Sequence, residues 1–261
     1  MGIIDKIQAR SKAVEDKKAK GQATIEGLQD NKVSMSRKIS RAYYRLSLNE
    51  KRVMNCLISK LDSRTDTLPK LTLTAKEYGE MFNISSQHAY GTLQDAASSL
   101  MRKIITVRES DENYTEYTLL LSSGYRKGEG KIVVCVNPEV AHHLLGLKDK
   151  FISYKLLDGA AFQSSYTWRM YEILVSWAKP KEETDGAFAG WHTADVAELR
   201  EQLGVPEGYR FGMFKTRVLD VVQRELFEHS DIIVKYSLEK RGRKVEKVKV
   251  VFAEDSQGRL L

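Results

Sequence analysis

The stretch YRFGMFKTRVLDVVQRELFEHSDIIVKYSLEKRGRKVEKVK, residues 209–249, predicts the fold of the chain around it. Its first half has the periodicity of a helix, because its apolar residues fall within one arc at about 100° per residue. These apolar residues are Phe211, Phe214, Val218, Val221 and Val222. After residue 231, two β-rich runs flank a basic turn that contains Gly242, which is the pattern of a β-hairpin. We therefore expect a helix followed by a hairpin with a basic tip.

The side of this helix opposite the apolar arc is basic. Arg210, Arg217 and Arg224 recur every seven residues and are expected to stack nearly in line. The same face carries Met213 and Thr216. In one interpretation this row contacts DNA. In the other it is a solvated face, on which Asp220 forms ordinary ion pairs with the arginines three residues before it and four residues after it.

The turn of the predicted hairpin is the most basic part of the stretch. Its sequence is Glu239-Lys240-Arg241-Gly242-Arg243-Lys244. Like charges packed into a tight turn repel one another unless a polyanion neutralises them. The turn therefore favours DNA over a solvated face, and a helix followed by a basic hairpin is the order found in a winged-helix module.

The overall composition permits a nucleic-acid partner. The chain has 261 residues, of which 42% are hydrophobic and 30% charged, and 42 Lys+Arg against 35 Asp+Glu give a net charge of +7. No apolar run approaches the roughly 18 residues that span a bilayer, and residues 1–6 lack a signal-peptide core, so we expect a cytoplasmic protein without a membrane partner. Cys56 and Cys135 lie in apolar runs and are predicted to be small buried hydrophobes rather than metal ligands or a disulfide.

The first half of the chain predicts an arm followed by a domain. Residues 1–36 are poor in aromatic residues and rich in Lys, Gln, Ala, Asp and Glu, which predicts a mobile basic N-terminal arm. Residues 37–148 form the predicted N-terminal domain. A helix runs from Asn49 to near Asp62, Thr74 and Glu77 form a capping box for a short helix, and Ser86 begins the next helix. The last two helices are predicted to form a helix-turn-helix.

Three β-rich runs follow, around residues 105–108, 114–121 and 131–136. They predict a three-stranded antiparallel sheet. Residues 124–131 resemble a phosphate-binding loop, but five residues rather than four separate Gly124 from Gly130, and Ile132 stands where Ser or Thr would bind Mg²⁺. We therefore interpret this segment as a hairpin turn.

Residues 149–261 form the predicted C-terminal domain, which repeats the order of the first. Ser164 to Lys179 is a predicted helix, Lys181 to Gly186 a loop, and Thr193 to Leu203 a short helix that leads into the opening stretch. This repeat predicts an α+β protein with two winged-helix domains in tandem. The corresponding helix of the first domain has a nearly neutral face and no Arg or Lys in its first turn, so the second domain is expected to be the main DNA reader.

Four segments resemble the iteron-binding replication initiator (Rep) proteins of theta-replicating bacterial plasmids, a family that includes the F plasmid initiator. They are residues 46–52, residues 137–140 leading to Phe151, residues 164–174, and residues 214–220 followed by Gly242-Arg243-Lys244-Val245. Their order and spacing cover residues 40–253, which makes the resemblance more specific than a single helix-turn-helix.

The resemblance implies two winged-helix domains related by a pseudo-twofold axis. It also implies that monomers bind directly repeated iterons at the origin, and that dimers repress the protein's own gene through an inverted repeat. The first domain would then supply the dimer interface. Host replication initiator and helicase proteins are implied partners by analogy, and no cofactor or metal is expected.

The resemblance also implies roles for the candidate DNA-binding residues. The major groove would be read from the second domain by Arg210, Lys215, Thr216 and Arg217, with Met213 and Arg224 on the same face. Flanking phosphates would be bound by Lys240, Arg241, Arg243 and Lys244. Weaker contacts from the first domain would come from Ser85, Ser86, Gln87, His88 and Thr92.

Two other functions compete with that of an origin-binding initiator. A dedicated winged-helix transcriptional repressor would have the same binding chemistry. A rolling-circle initiator would instead be a nuclease, with a Tyr nucleophile and a metal bound by a His-x-His motif. The chain has 12 Tyr, but none of its five His forms that motif. We therefore expect that the protein is not an enzyme.

Overall fold

The computed structural model of the chain describes residues 27–110 and 112–255, with only the backbone described at Ser86. Most of the predicted N-terminal arm lies outside this range. The described part mixes helices and strands in the expected order, which confirms the α+β class. None of its helices is both long and apolar enough to cross a membrane.

The first half contains four helices and six strands in the described range. In chain order these are β1 (Lys32–Ser36), α1 (Arg37–Ser40), α2 (Leu48–Ser59), β2 (Leu71–Thr74), α3 (Ala75–Phe82), α4 (Ser86–Leu100), β3 (Ile104–Arg108), β4 (Tyr114–Thr118), β5 (Leu120–Arg126) and β6 (Lys131–Val136). Short 3₁₀ helices occur at Leu28–Asp30, Lys127–Glu129 and Pro138–His143.

The second half repeats the arrangement of a helix pair followed by a hairpin. Its elements are β7 (Phe151–Lys155), α5 (Leu156–Ala160), α6 (Ser165–Trp177), a 3₁₀ helix at Lys181–Glu183, β8 (Ala189–Asp195), α7 (Val196–Gln202), α8 (Phe211–Phe214), a π-helical turn (Lys215–Leu219), α9 (Asp220–His229), β9 (Ile232–Arg241) and β10 (Lys244–Glu254).

Local sequence explains where the helices of the first half begin. Thr74 Oγ1 accepts a hydrogen bond from the Glu77 amide (3.1 Å), and the Glu77 carboxylate accepts one from the Thr74 amide (2.8 Å), so the predicted capping box is confirmed. Ser47 and Glu50 form the same reciprocal pair at the start of α2. Asn83, at a φ of 53°, ends α3 in the left-handed conformation that Asn tolerates, which separates α3 from α4.

The predicted three-stranded sheet is wrong, because its strands belong to two different sheets. β3 and β4 form a two-stranded sheet, which Tyr43 extends by an isolated bridge to Thr106, whereas β5 joins β6, whose other edge is occupied by β2. The break falls at the buried Leu119, between β4 and β5, where the chain passes from one sheet to the other. Because β5 extends to Arg126, the predicted turn at residues 124–131 is shorter than expected and spans residues 127–130.

The predicted arm extends too far along the chain. Residues 32–36 form β1, which pairs antiparallel with β7 and buries Val33 and Met35 completely. Val33 and Met35 alternate with polar residues, which is the pattern of a half-buried strand. The pattern covers only five residues, which makes it a weak signal in the sequence. β1 and β7 lie on opposite sides of the expected domain boundary near residue 148. The position of that boundary stays a prediction.

In the second half, β8 was not predicted. The sequence favoured a helix from Thr193 to Leu203, but residues 189–195 are a strand and the helix begins only at Val196. Every second residue of β8 is buried, namely Gly190, His192 and Ala194. These residues are small or polar, so the alternation that marks a strand is weak. β8 pairs with the central strand β10, whose other edge carries β9.

A buried polar network joins the two halves. Glu172 on α6 is fully buried, and its carboxylate accepts hydrogen bonds from Lys51 Nζ (2.7 Å), Arg169 Nη1 (3.1 Å), Tyr154 OH (2.7 Å) and Asn55 Nδ2 (3.2 Å). Burial opposes ionisation, yet the charges of Lys51 and Arg169 hold the pKa of Glu172 below its usual value. Since Lys51 and Asn55 belong to α2, the first and second halves share one core.

Arg169 extends this network to backbone groups. Its guanidinium donates to the carbonyl oxygens of Ser40 (2.9 Å), Ala42 (2.8 Å) and Gln202 (3.3 Å), and it lies 4.1 Å from the ring centroid of Tyr44. One side chain of α6 therefore holds the end of α1 and the end of α7. Arginine suits this role because its planar group presents several donors in fixed directions.

The two cysteines differ in burial. Cys56 is buried, as predicted, and Cys135 is half-buried; both are free thiols. Residues 27–110 and 112–255 contain no group of three or more His, Cys, Asp or Glu side chains that could hold a metal ion.

Two buried histidines are expected to make stability depend on pH. Burial, followed by the charge of a neighbour, lowers the pKa of His143 and of His192 to about 4. The unfolded chain, with ordinary histidine pKa values, binds more protons between pH 4 and 6.5, so stability falls as the pH is lowered through that window. We expect a loss of at most about 3 kcal/mol per histidine.

Urea unfolding at pH 7 and pH 5 measures this effect. His192→Gln is expected to lose less stability between the two pH values than the wild type does. The matched control is His229→Gln, which removes an exposed histidine and should leave the pH dependence unchanged. Equal pH dependence in the wild type and in His192→Gln would contradict the assignment.

Candidate nucleic-acid interface

The helix at the centre of the candidate interface contains one wide turn. Between α8 and α9, the backbone passes through the π-helical turn, and the Asp220 amide donates to the Lys215 carbonyl, five residues earlier. The wide turn changes the angular position, around the helix axis, of the side chains that follow it. Val221, a residue of the predicted apolar arc, is therefore only half-buried, and Phe211, which precedes the turn, is half-buried as well. The residues that enter the core are Phe214, Val218, Leu219, Val222 and Leu226.

The wide turn also decides the partner of Asp220. Its carboxylate lies 3.1 Å from Lys215 Nζ and accepts a hydrogen bond from Tyr236 OH. Residues five apart meet in a π-helical turn, whereas in a regular α-helix they point in different directions. The hydrogen bond from Tyr236 and then the Lys215 charge lower the pKa of Asp220. Asp220 therefore does not form the ion pairs with Arg217 and Arg224 that the solvated-face interpretation required.

The three arginines of the predicted row are all exposed. Arg210 is the N-cap residue before α8, so the row begins outside the helix rather than within it. Arg217 lies 5.8 Å from the ring centroid of Tyr209, and Arg224 lies on the surface of α9. Within the described residues, none of the three is within ion-pair distance of a carboxylate. Their charges are therefore available to an external anion.

Two further predicted residues lie on the same helix. Thr216 is exposed, and its hydroxyl donates to the Gly212 carbonyl at 3.0 Å, which leaves the hydroxyl oxygen free to accept. Met213 is half-buried. Thr216 has one hydrogen bond within its helix and Met213 is partly covered, so both side chains are less available to a ligand than the arginines.

The beginning of this helix is positioned by Arg200, which sequence reasoning missed. Its Nη2 lies within hydrogen-bond distance of the carbonyl oxygens of Pro206 (3.3 Å), Glu207 (3.2 Å) and Tyr209 (2.6 Å). The side chain comes from α7 and fixes the loop that leads into α8. No short motif could have revealed it, since the contacts depend on how the loop folds back on α7.

The hairpin tip is as basic in the structure as in the sequence. β9 and β10 pair antiparallel up to Arg241 and Lys244, which confirms the predicted hairpin, and Gly242 in the turn has a φ of +61° that glycine adopts without strain. The four cations of the tip, namely Lys240, Arg241, Arg243 and Lys244, are exposed. Arg241 lies 3.9 Å from Glu246, an exposed pair that contributes little.

The hairpin is attached to the helix by polar contacts. Gln223 Nε2 donates to the Val234 carbonyl at 2.8 Å, and Tyr236 on β9 donates to Asp220. These contacts hold the helix against the hairpin, so the arginines and the basic tip are parts of one rigid unit. The sequence pattern predicted both elements but not these contacts between them.

The corresponding helix of the first domain has no Arg or Lys in its first turn, as predicted, and its one acidic residue is Asp95. Ser85 is the N-cap residue of α4, and its Oγ lies 2.7 Å from His88 Nδ1. Gln87 and His88 are exposed and Thr92 is half-buried. Ser86 is the first residue of α4. α4 contains no Arg or Lys, so its exposed face offers hydrogen bonds but no charge for an anion.

Comparisons with known proteins agree with this architecture. The family model described as "Initiator Replication protein, WH1" matches residues 32–175, and the one described as "Initiator Rep protein, WH2" matches residues 195–252. An uncharacterized 27.6 kDa protein of Escherichia coli is 24% identical over 227 residues, which cover 81% of this chain and 91% of that protein.

A replication initiation protein of Escherichia coli is 25% identical over 210 residues, covering 77% of this chain. The match covers only 62% of the length of that protein. The crystal structure of the Pi initiator protein in complex with iteron DNA is similar with a TM-score of 0.71 at 21% identity, covering 87% of this chain and 99% of that one. At this identity the likeness shows a shared fold. Because the two family regions together span most of its length, the chain belongs to the initiator Rep family of replication proteins, with a WH1 and a WH2 winged-helix domain in tandem.

Proposed function

We propose that this protein initiates plasmid replication by binding repeated sites, or iterons, in the duplex DNA of an origin. One observation carries the proposal: the WH2 domain presents exposed arginines without acidic partners on a helix that is fastened to an exposed basic hairpin tip. The Pi initiator, which shares the fold, was solved in complex with iteron DNA. Phosphate contacts supply much of the affinity of such proteins, and arginine contacts to guanine supply specificity.

The proposed roles follow from exposure and charge. Arg210, Thr216 and Arg217 enter the major groove, and Met213 and Arg224 flank them on the same helix. Lys215 joins them with its charge partly compensated by Asp220. The tip residues Lys240, Arg241, Arg243 and Lys244 contact the flanking phosphates, because exposed cations on a hairpin turn reach the backbone rather than the base edges.

The WH1 domain adds weaker contacts in this proposal. Ser85, Ser86, Gln87, His88 and Thr92 lie at the N-terminal half of α4, the part of such a helix that approaches the groove. They are polar and include no Arg or Lys, so they form hydrogen bonds without releasing many counterions. Most of the salt-dependent affinity should therefore come from WH2.

The hairpin tip is expected to contribute equally to the binding of every duplex, whatever its sequence. The double substitution Lys240→Ala and Arg241→Ala should weaken binding to cognate and random DNA by the same factor. It should also lower the slope of log K against log salt concentration by about 0.9 for each phosphate that the tip no longer neutralises. Fluorescence anisotropy over a salt series measures both quantities.

The matched control is the double substitution Lys235→Ala and Lys247→Ala, which removes two exposed lysines from the strands of the same hairpin. It should leave the slope of the salt dependence nearly unchanged. If both doublets reduce the slope equally, only the net charge of the protein matters. If the tip variant leaves the slope unchanged, the hairpin tip does not contact the DNA.

The initiator role itself is tested on the DNA that the protein selects. Duplexes enriched from a random pool give the preferred site, which is then sought beside the protein's own gene. Direct repeats of roughly 20 base pairs, spaced near whole helical turns beside an A·T-rich tract, support an initiator. An inverted repeat at the promoter without such direct repeats would instead indicate a dedicated repressor, which membership of the initiator family does not favour.

We further propose that monomers occupy iterons, and that dimers formed through WH1 repress the protein's own gene at an inverted repeat. Host replication initiator and helicase proteins are the proposed partners at the origin. Sedimentation of the protein with one iteron and with the inverted repeat tests the first part. One protein chain per iteron and two chains per inverted repeat are expected, and two chains on the single iteron would contradict it.

No catalytic step is part of this proposal. Incubation with supercoiled origin DNA and Mg²⁺ or Mn²⁺ should leave the DNA intact. A nicked product linked to tyrosine would show that the protein is a nuclease instead.

A further inference from the structure

A cleft lies where the two halves of the chain meet. It has a volume of about 740 Å³, which falls within the range of small-molecule sites. One wall comes from residues 36–38, 41–43 and 146–150 with Arg108 and His142, and the other from Trp177, His192, Glu198 and Gln202. A ligand in this cleft would contact both halves at once.

The lining of the cleft is strongly cationic. Its cations are Arg37, Lys38, Arg41, Arg108, Lys148 and Lys150, against the carboxylates of Asp149 and Glu198. Lys38 pairs with Glu109 at 3.5 Å and Arg108 with Glu201 at 3.0 Å. The other four cations have no ion-pair partner among the residues that the structure describes. Like charges held this close repel one another until an anion binds.

Arg41 forms the inner wall of the cleft and is held in place by neutral groups. Its Nε donates to Ser176 Oγ (2.9 Å) and its Nη2 to the Ser176 carbonyl (2.6 Å), while the guanidinium stacks 3.7 Å from the Trp177 ring centroid. Burial, followed by the charge of Arg37, lowers the pKa of Arg41 to about 10. The guanidinium is thus positioned but not neutralised.

His192 gives an independent indication that this wall takes a ligand. The side chain is only 8% exposed and stacks on Trp177 with ring centroids 4.6 Å apart. Its Nε2 is buried and has no hydrogen-bond partner in the described part of the chain. A buried polar atom without a partner is costly, and such atoms often mark a place where a ligand or an ion completes the bonding.

We propose that this cleft binds a phosphorylated small molecule, whose phosphate is held by Arg37, Arg41, Lys148 and Lys150. Guanidinium groups bind phosphate oxygens in a bidentate manner, and lysines add point charges. Asp149 and Glu198 offset part of the charge of the four unpaired cations, and the remaining excess of positive charge suits a phosphate anion. A bound molecule would tie the WH1 side of the cleft to α6, β8 and α7.

The cleft shares no lining residue with the hairpin tip or with the arginine row of the helix, so the proposed ligand is a free small molecule rather than the DNA bound there. His192 pairs with Val250 on β10, and Val250 is six residues from Lys244 at the tip. At roughly 3.4 Å per residue, this separation is about 20 Å. The inference does not depend on the proposed role in replication.

Titration calorimetry with inorganic triphosphate, at near-physiological salt, tests the proposal on the full chain. We expect saturable binding of one triphosphate per chain. The double substitution Arg37→Gln and Lys148→Gln, at two exposed positions, should weaken it about ten-fold or more. The control doublet Lys235→Gln and Lys247→Gln removes the same charge from exposed strand positions and should bind triphosphate as the wild type does. Circular dichroism confirms that each variant is folded.

Three outcomes would overturn the proposal. One is the absence of saturable binding in the wild type, and another is an equal loss in both doublets, which would indicate unspecific attraction to a basic protein. The third is stoichiometric displacement of triphosphate by duplex DNA, which would mean that the cleft takes a DNA phosphate rather than a free molecule. Binding of duplex DNA, measured separately by anisotropy, reports on the replication role whichever of these results is found.

Discussion

Replacing Glu172 with Leu is expected to lower the free energy of unfolding by about 3–5 kcal/mol. The carboxylate is fully buried and compensates two cations, Lys51 at 2.7 Å and Arg169 at 3.1 Å. Removing it leaves both charges in the core without a partner, and it also deprives Tyr154 and Asn55 of their acceptor. Uncompensated buried charge costs far more than the attraction of a surface pair contributes.

Urea unfolding followed by circular dichroism measures this loss. Glu228→Leu, at an exposed position of α9, is the matched control and should change stability by no more than about 0.5 kcal/mol. Adding Lys51→Met to Glu172→Leu should restore part of the stability, because it removes one of the two buried charges that lost their partner. A loss below about 1 kcal/mol for Glu172→Leu would show that the network does not contribute as its geometry indicates.

Arg217→Ala is expected to cost about 1–3 kcal/mol of binding free energy on the cognate site and to relax specificity at one base pair. The guanidinium is exposed, and the nearest acidic candidate on its helix, Asp220, is bound to Lys215 and Tyr236 instead. Arg217 therefore gives up no ion pair when it binds a base. This lack of a competing partner is the reason that the expected effect is large.

Competition binding with cognate and random duplexes measures both affinity and specificity. Arg64→Ala removes the same charge from an exposed arginine that is paired with Asp62 at 2.8 Å, and it should affect neither. If Arg217→Ala weakens cognate and random DNA equally, the residue contacts only phosphate. If Arg64→Ala has the same effect as Arg217→Ala, the protein's overall charge rather than this helix determines binding.

The WH2 domain shows what a local pattern predicts well. Phe214, Val218 and Val222 recur at helical spacing and are buried, and the Gly242 turn lies where the basic run predicted it. The capping box of α3 was equally predictable, since it depends on two residues three apart, Thr74 and Glu77. The family resemblance, carried by segments spread over the chain, is confirmed by the WH1 and WH2 matches.

Local sequence patterns failed to predict three features of the fold. A wheel of about 100° per residue assumes a uniform helix and therefore placed Val221 in the core, whereas the π-helical turn moved it to the margin. β8 was missed because glycine, histidine and alanine occupy its buried positions. The exchange of sheets at Leu119 depends on which strands compete for β6, and no pattern within β4 or β5 specifies that.

The sequence by itself determined the helices that follow strong periodicity, their caps, the hairpin and the places where positive charge accumulates, because each of these depends on residues close together in the chain. Only the tertiary structure decided which charges are paired. Asp220 is bound by Lys215 and Tyr236, Glu172 by side chains up to 121 residues away, and Arg41 by a serine 135 residues away. A side chain's electrostatic partner is set by distance in space. Asp220 meets Tyr236 only once the helix packs against the hairpin, and Glu172 and Arg41 meet their distant partners only once the two halves of the chain have packed together.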